Sequence, residues 1–386
     1  MGTKTRIRIP RSPFFEAIRK SGLIQPDDLI ELVAKYDITD ETAADPIRVA
    51  TFFVKKKVLT KYQAMQLLQG RTGGFVLGPY KILEGLRQDR VGMVFLAEDS
   101  RNGRQVAVKV LPTDRTNDPT ILSAFRQEVR LAAQVDHANV ARVLDYGIHQ
   151  GIHFVVSEYV PGPTLDKSLA GKGTIDPNVV ARHIARVAVV LKFAHANGLF
   201  HRDIKPANIA LTEDGRVKLI DLGLTHMLEN PWARVTTRIK TSEYAEEIDH
   251  VAPEQAWGCD QDARSDIYSL GSTFFTLLTR RSPFPGDAAD KLKERQLHPV
   301  PPPSELNPEV TPELDRIVQK MGHNHPHERY QTCDELLIDL HTWLPVTEWL
   351  SLGITPPPPT MPGRSAKPGS GSSGGFFTAL KRLFGG

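Results

Sequence analysis

The stretch HRDIKPANIALTEDGRVKLIDLG, residues 201–223, joins a polar cluster to two short apolar runs. Residues 209–212 and 217–220 have the length and composition of two short strands. Asp214-Gly215 between them is a strong hairpin-turn signal. The stretch therefore predicts a polar loop followed by an antiparallel hairpin.

The hairpin brings polar residues from its two ends together. Asn208 precedes the first strand and Asp221 follows the second, so their Cα atoms are expected about 5 Å apart. An amide oxygen beside a carboxylate suits a hard cation such as Mg²⁺. Asp203 lies on the same loop as Asn208 and is expected to face the same cleft. The alternative is that these polar groups only cap turns in a solvated loop.

Composition places the chain among ordinary globular proteins. Its 386 residues suit two domains or one large domain with appendages, and 40% are hydrophobic and 24% charged. A net charge of +3 is too small to indicate a nucleic-acid partner. Cys259 and Cys333 fit no disulfide framework and no metal-ligand spacing, which favours a reducing compartment.

No segment predicts membrane insertion. The basic start leads into no apolar run of a signal peptide, and no stretch approaches the roughly 20 apolar residues of a membrane span. We therefore expect no transmembrane segment and a cytoplasmic location.

The N-terminal residues, 1–75, predict a helical module. Pro26 suits a first helical position, Thr60 and Gln63 form a capping box, and Gly70 is suited to end the last helix. No chemistry is visible in this module, so an interaction role is the default interpretation.

Residues 80–345 change pattern twice. Residues 80–111 form short apolar runs with turn residues between them, which predicts an antiparallel meander. Residues 139–160 return to strands, and from residue 176 the chain is mainly helical. This order predicts an α+β fold with a small sheet lobe, a larger helical lobe and a cleft between them.

The C-terminal end divides into a linker and an amphipathic segment. Residues 356–375 are rich in Pro, Gly and Ser, and residues 376–386 carry five apolar residues at helical spacing beside Lys381 and Arg382. The short segment is expected to fold only against a surface, which could be the larger domain of its own chain, a partner or an anionic membrane. A disordered tail with a chance apolar cluster is the alternative.

The polar loop and its hairpin resemble the catalytic core of protein kinases, H-R-D-x-K-x-x-N followed by D-x-G. Further matches follow in the family's order: Lys109 in VAVK, Glu128 in FRQEVR, APEQ at 252–255, DIYSLG at 266–271, and Arg329 as the partner of Glu254. The resemblance covers about residues 80–345. The N-terminal helical region followed by GFVLGPYKIL also resembles some bacterial Ser/Thr kinases of the eukaryotic-like type. Any one match alone would more often be a surface charge or a turn cap, but together they are specific.

The resemblance implies catalytic roles for four side chains. Asp203 would accept the proton of the substrate hydroxyl, and Lys205 would steady the transferring phosphoryl group. Lys109 would contact the α- and β-phosphates and be positioned by Glu128.

The resemblance also implies ATP and Mg²⁺ as cofactors. Asn208 and Asp221 would hold Mg²⁺, and the backbone of Glu158 and Val160 would bond adenine. The residues enclosing adenine would be Leu86, Val94, Ala107 and Ala210.

Two departures from the family pattern leave an alternative open. Only Gly92 survives of the three glycines expected in the phosphate-binding loop, and Arg87 and Asp89 occupy the first two positions. Glu247 stands where related kinases usually carry a threonine before the A-P-E motif. The leading hypothesis is an ATP- and Mg²⁺-dependent Ser/Thr kinase acting on a protein substrate. The alternative is a pseudokinase, a binding module with weak or no phosphotransfer.

Overall fold

The structure, a computed structural model, describes residues 8–89, 92–169, 175–222, 248–259, 261–345 and 347. Glu247, the side chain of Asp89, and the segments 356–375 and 376–386 lie outside this description, so what was expected of them stays a prediction. No helix within the described ranges is both long and apolar enough to cross a membrane.

The N-terminal region is helical, as its capping residues predict. Thr60 and Gln63 form the predicted capping box, and Pro26 begins a helix. Apolar residues of this region pack into a core of their own, with Phe15, Leu29 and Phe53 fully buried. We call residues 13–68 the N-terminal module. Its helices are α1 (Pro13–Ser21), α2 (Pro26–Lys35), α3 (Asp40–Ala43), α4 (Pro46–Lys55) and α5 (Lys61–Leu68).

An antiparallel sheet follows the N-terminal module. The strands that the structure describes in it are β1 (Val76–Leu77), β2 (Tyr80–Asp89), β3 (Gly92–Asp99), β4 (Arg104–Val110), β5 (Val143–His149) and β6 (Ile152–Glu158). Their order is β1-β2-β3-β4-β6-β5, and each neighbouring pair is antiparallel. The predicted meander is confirmed, with the turn between β3 and β4 at Asn102 and Gly103.

The register of β2 against β3 shifts twice. Ile82 pairs with Ala97 and Glu84 pairs with Leu96, so Leu83 is an extra residue. A second shift falls between Gly85 and Arg87. Such bulges bend a strand and increase its local twist.

The remaining helices build the larger lobe and one side of the sheet. They are α6 (Thr113–Thr116), α7 (Pro119–Ala132), α8 (Leu165–Leu169), α9 (Pro177–Ala196), α10 (Pro253–Trp257), α11 (Ala263–Thr279), α12 (Ala288–Leu297), α13 (Pro312–Met321) and α14 (Cys333–Asp339). Helix α9 packs against α11 at the centre of the main core, where Ile184, Leu270 and Phe274 are fully buried. The predicted α+β architecture of two lobes with N-terminal helices is thus confirmed.

The predicted hairpin lies on the larger lobe beneath the cleft. Strands β7 (Ile209–Leu211) and β8 (Val217–Leu219) are antiparallel, with Ile209 opposite Leu219. The amide of Ile220 donates to the carbonyl of Asn208 over 3.0 Å. The hairpin therefore brings the backbone next to Asp221 alongside Asn208, as the sequence predicts.

Candidate active site

A buried carboxylate fixes the polar loop at residues 201–208. Asp266 of α11 accepts hydrogen bonds from the backbone amides of His201 at 2.8 Å and Arg202 at 2.7 Å, and from His195 Nε2 at 2.8 Å. Burial alone would raise the pKa of Asp266, but these partners, His195 first, lower it overall. Arg202 has a φ of 64°, an uncommon conformation for a side-chain-bearing residue, which these bonds help to hold.

Three polar side chains of the loop converge. Asn208 Nδ2 donates to the Asp203 backbone carbonyl at 2.7 Å and to Asp203 Oδ2 at 2.9 Å. Lys205 Nζ lies 2.9 Å from the same Oδ2. The predicted residues Asp203, Lys205 and Asn208 therefore form one cluster around a single carboxylate.

Asp221 lies at the other side of this cleft and binds two cations. Its Oδ2 accepts from Lys109 Nζ of β4 at 3.0 Å, and it also binds Arg87 Nη2 of β2. Arg87 Nη1 is 3.5 Å from the carbonyl of Ala207. Burial alone would raise the pKa of Asp221, but Lys109 and then Arg87 outweigh it and hold the pKa well below the usual range. Asp221 is therefore an ionised carboxylate although its side chain is only 9% exposed.

Glu128 of α7 forms an ion pair with Arg202 of the polar loop. Its Oε1 accepts from Arg202 Nη1 at 2.5 Å. In the described ion pairs Lys109 is joined to Asp221 and Glu128 to Arg202. The contact of Lys109 with Glu128 that the resemblance implies stays a prediction.

A cavity of about 830 Å³ opens between the two lobes. Its walls include the predicted adenine-enclosing residues, namely Leu86, Val94, Ala107 and Ala210. Glu158 and Val160 lie on its wall as well, and so do Lys205, Asn208 and Asp221. The backbone amide of Glu158 already donates to the Arg142 carbonyl at 2.8 Å, so Glu158 would meet a base through its own carbonyl.

The donor set fits Mg²⁺. Within the described ranges no group of three or more His, Cys, Asp or Glu side chains forms an all-protein metal cage. Asn208 and Asp221 supply one amide and one ionised carboxylate to the cavity. Mg²⁺ is usually bound by one or two carboxylates while it keeps water and substrate phosphate oxygens as its other ligands.

Gly92 begins β3 and is enclosed by backbone. Its φ is 151°, and a Cβ there would lie 1.9 Å from the carbonyl oxygen of Val110. That contact is with the strand carrying Lys109. Packing of β3 on β4 therefore requires glycine here, whether or not a phosphate is bound.

Sequence reasoning missed two relationships at this site. The motif that contains Asp266 was recognised, but the role of Asp266 in fixing the polar loop was not predicted. The signal for this role is a single acidic residue within an apolar helical run. The reach of Arg87 to Asp221 was also missed, because the two residues are 134 positions apart. The predicted pair of Arg329 and Glu254 is confirmed, with bonds of 2.7 and 2.9 Å.

The chain belongs to the protein kinase family. The family model described as protein kinase domain matches residues 80–343. The chain is 33% identical over 271 residues to the serine/threonine-protein kinase PrkC of Bacillus subtilis, covering 70% of this chain and 41% of PrkC. It is 37% identical over 266 residues to PknB of Mycolicibacterium smegmatis, covering 68% of this chain and 42% of PknB.

Solved structures agree with the fold. The PknI kinase domain of Mycobacterium tuberculosis superposes with a TM-score of 0.56 at 26% identity, covering 70% of this chain and 98% of that domain. The chain spans only about two fifths of the length of the curated relatives it matches.

Proposed function

We propose that this chain is a serine/threonine protein kinase that transfers the γ-phosphoryl group of ATP to a protein hydroxyl, with Mg²⁺ as cofactor. The observation that carries the proposal is the convergence of Asp203, Lys205, Asn208, Asp221 and Lys109 at one cleft between the lobes. Relatives named as serine/threonine-protein kinases support it.

The chemistry assigned to the loop is proton acceptance and charge stabilisation. As the hydroxyl oxygen bonds to the γ-phosphorus, the bond to the bridging oxygen breaks and ADP leaves. The hydroxyl proton passes to a carboxylate oxygen of Asp203. Lys205, 2.9 Å from Asp203, would neutralise charge on the transferring group.

The cofactor would lie against the hairpin. Asn208 and Asp221 would hold Mg²⁺, which supplies positive charge to the phosphates when bound. Lys109 would contact the phosphates from β4. Lys109 and Arg87 both bind Oδ2 of Asp221 in this structure, so the metal would share this carboxylate with two protein cations unless one of them changes partner.

We favour the enzyme over a pseudokinase. A binding module freed from catalysis would be expected to lose at least one polar group, whereas Asp203, Lys205, Asn208 and Asp221 are all present at the cleft. Arg87 is the feature that would most hinder binding of a metal at Asp221. The Arg87 side chain has several rotatable bonds, so its guanidinium can also turn towards a phosphate.

Autophosphorylation of the purified full chain tests the proposal. The protein is incubated with Mg²⁺ and labelled ATP, alone and with a generic basic protein, beside an Asp203→Ala variant. We expect transfer to serine or threonine by the wild type and none by the variant. ATP binding by the wild type without any transfer would instead support the pseudokinase.

The cellular setting follows from the cofactor. ATP is supplied in the cytoplasm, and the exposed free thiol of Cys259 suits a reducing compartment. We therefore propose a cytoplasmic catalytic domain with a protein substrate. Docking of residues 376–386 to a partner or membrane surface remains part of this proposal, tested by their removal.

A further inference from the structure

The N-terminal module touches the sheet at the strand that covers the cleft. Thr60 Oγ1 at the start of α5 donates to the carbonyl of Leu83 at 2.5 Å. Gln63 Nε2 donates to the neighbouring carbonyl of Ile82 at 2.6 Å. Gln63 is only 1% exposed, so its amide is committed to this contact. The two capping-box residues of α5 therefore also hydrogen-bond to the backbone of β2.

The hydrogen bond from Thr60 is made to the first bulge of β2. Leu83 is the extra residue there, because its neighbours pair with Ala97 and Leu96 of β3. A bulged residue is left out of the regular ladder, and a buried carbonyl without a partner is costly. Thr60 supplies that partner from outside the sheet.

Contacts of the Tyr62 ring extend the interface between the module and the sheet along β2. The ring of Tyr62 lies 6.3 Å from that of Phe95, and Tyr62 Cε2 is 3.5 Å from the position of a Cβ at Gly85. The second bulge follows directly, between Gly85 and Arg87. Contact with the module therefore runs from Ile82 to Gly85.

The next residues of β2 belong to the nucleotide cleft. Leu86, Arg87 and Gln88 line the cavity, and Arg87 binds Asp221. Three residues of a strand span about 10 Å. The bulge at Leu83, which contacts the module, is therefore close to Leu86, which lines the cavity. A shift of the bulge would move that wall.

We propose that the N-terminal module is a clamp on the nucleotide-covering strand, and that Thr60, Tyr62 and Gln63 are positioning residues for nucleotide binding. The clamp holds the bulges of β2 so that Leu86 and Arg87 keep their places over the cavity. This inference rests on the proposed nucleotide site. It gives the module an intramolecular role in place of the external partner that its sequence suggests.

The test compares two threonine caps in the same module. Thr60→Val removes the hydroxyl that binds Leu83, whereas Thr39→Val removes the capping hydroxyl of α3, whose hydrogen bonds run only to Thr42 among the described residues. ATP affinity of the full chain with Mg²⁺ is measured by titration calorimetry. We expect Thr60→Val to weaken ATP binding by about two- to tenfold, the effect of the lost hydrogen bond to Leu83; the lost helix cap is matched by the control. Thr39→Val should leave it unchanged, and Thr60→Ser should restore it.

A second pair keeps the test decisive if Thr60→Val does not fold. Tyr62→Leu removes the ring against Phe95 and Gly85, and Tyr36→Leu removes a ring that packs inside the module on Phe52, 5.0 Å away. We expect only Tyr62→Leu to weaken ATP binding. In an active sample it should also raise the KM for ATP and leave the KM for a peptide substrate unchanged.

The outcomes separate the two proposals. Wild-type protein that binds no ATP overturns the proposed function and the clamp together. Wild-type protein that binds ATP, with equal affinities in Thr60→Val and Thr39→Val and in Tyr62→Leu and Tyr36→Leu, overturns the clamp alone.

Discussion

Lys109 Nζ lies 3.0 Å from Asp221 Oδ2, so the cation of β4 is bound to the carboxylate assigned to the metal. Arg87 binds the same carboxylate from β2. Two protein cations thus compensate a charge that Mg²⁺ would meet in the nucleotide complex. Entry of ATP with its metal is expected to exchange these contacts rather than to fill a preformed metal site.

Replacing Arg87 should ease nucleotide entry. Arg87→Gly removes one cation from Asp221 and restores glycine where the family expects it, so the backbone can come closer to the phosphates. We expect a lower KM for ATP and saturation at a lower Mg²⁺ concentration. Arg104→Gly, which removes an exposed arginine from the same lobe, is the matched control. A higher KM in Arg87→Gly would mean that Arg87 is itself a phosphate ligand.

Lys109→Met should abolish transfer with little effect on folding. The variant keeps the apolar stem and leaves Asp221 bound to Arg87, but it removes the phosphate contact of β4. We expect kcat/KM to fall by about 100-fold or more, with a thermal midpoint close to that of the wild type. Lys192→Met, at an exposed pair with Asp334, controls for loss of charge. Retained transfer would refute the role of Lys109.

The buried pair of Arg329 and Glu254 should be essential for stability. The Arg329 side chain is fully buried and binds both oxygens of Glu254. Arg329→Met leaves Glu254 unpaired and should lower the free energy of unfolding by about 3–5 kcal/mol. The double variant with Glu254→Gln should recover part of this loss. Urea unfolding of both variants measures the difference, and a loss equal in the two would contradict the pairing argument.

Acid should destabilise the protein through His250. Burial, with Lys205 and Arg295, lowers the pKa of His250 from 6.5 to about 3. Above pH 6.5 the imidazole is neutral in the folded and unfolded chains, so its effect on stability is absent there. As the pH falls towards 3, only the unfolded chain takes up the proton, and stability declines by about 1.4 kcal/mol per pH unit.

His250→Gln should therefore flatten the loss of stability in acid. Urea unfolding near neutral pH and at about pH 5 measures the slope. His298→Gln, at an exposed histidine, should not change it. The flattening is partial because burial also lowers the pKa of His183, to about 4. An unchanged slope in His250→Gln would show that folding does not lower the pKa of His250.

Local patterns predicted most of the fold. The hairpin signal at Asp214 and Gly215, the period of the strands in residues 80–111, and the capping box at Thr60 each depend on neighbours in sequence, and each is confirmed. The pairing of Arg329 with Glu254 is long-range, but it was available from the motif order.

Long-range electrostatics could not be predicted in the same way. The bond between Arg87 and Asp221 was not predicted, because sequence does not reveal how far an arginine reaches across a cleft. The ion pair of Glu128 with Arg202 was not predicted either. Which carboxylate each cation selects depends on burial and on the other charges present, and these exist only in the folded chain. The hydrogen bond from Thr60 to the Leu83 carbonyl could not be predicted, because the β-bulge that exposes this carbonyl carries no sequence signature.

The enclosure of Gly92 by β4 determines which of residues 87–92 can be substituted without loss of folding. In a saturation library covering residues 87–92, substitutions at Arg87 change a side chain that projects into the cleft. Every substitution at Gly92 meets the Val110 carbonyl instead, and relief of that clash would push apart the strands that carry Lys109. Variants at position 92 should therefore be depleted when the library is selected for folded protein without nucleotide, whereas variants at position 87 should pass that selection and differ only in the presence of ATP.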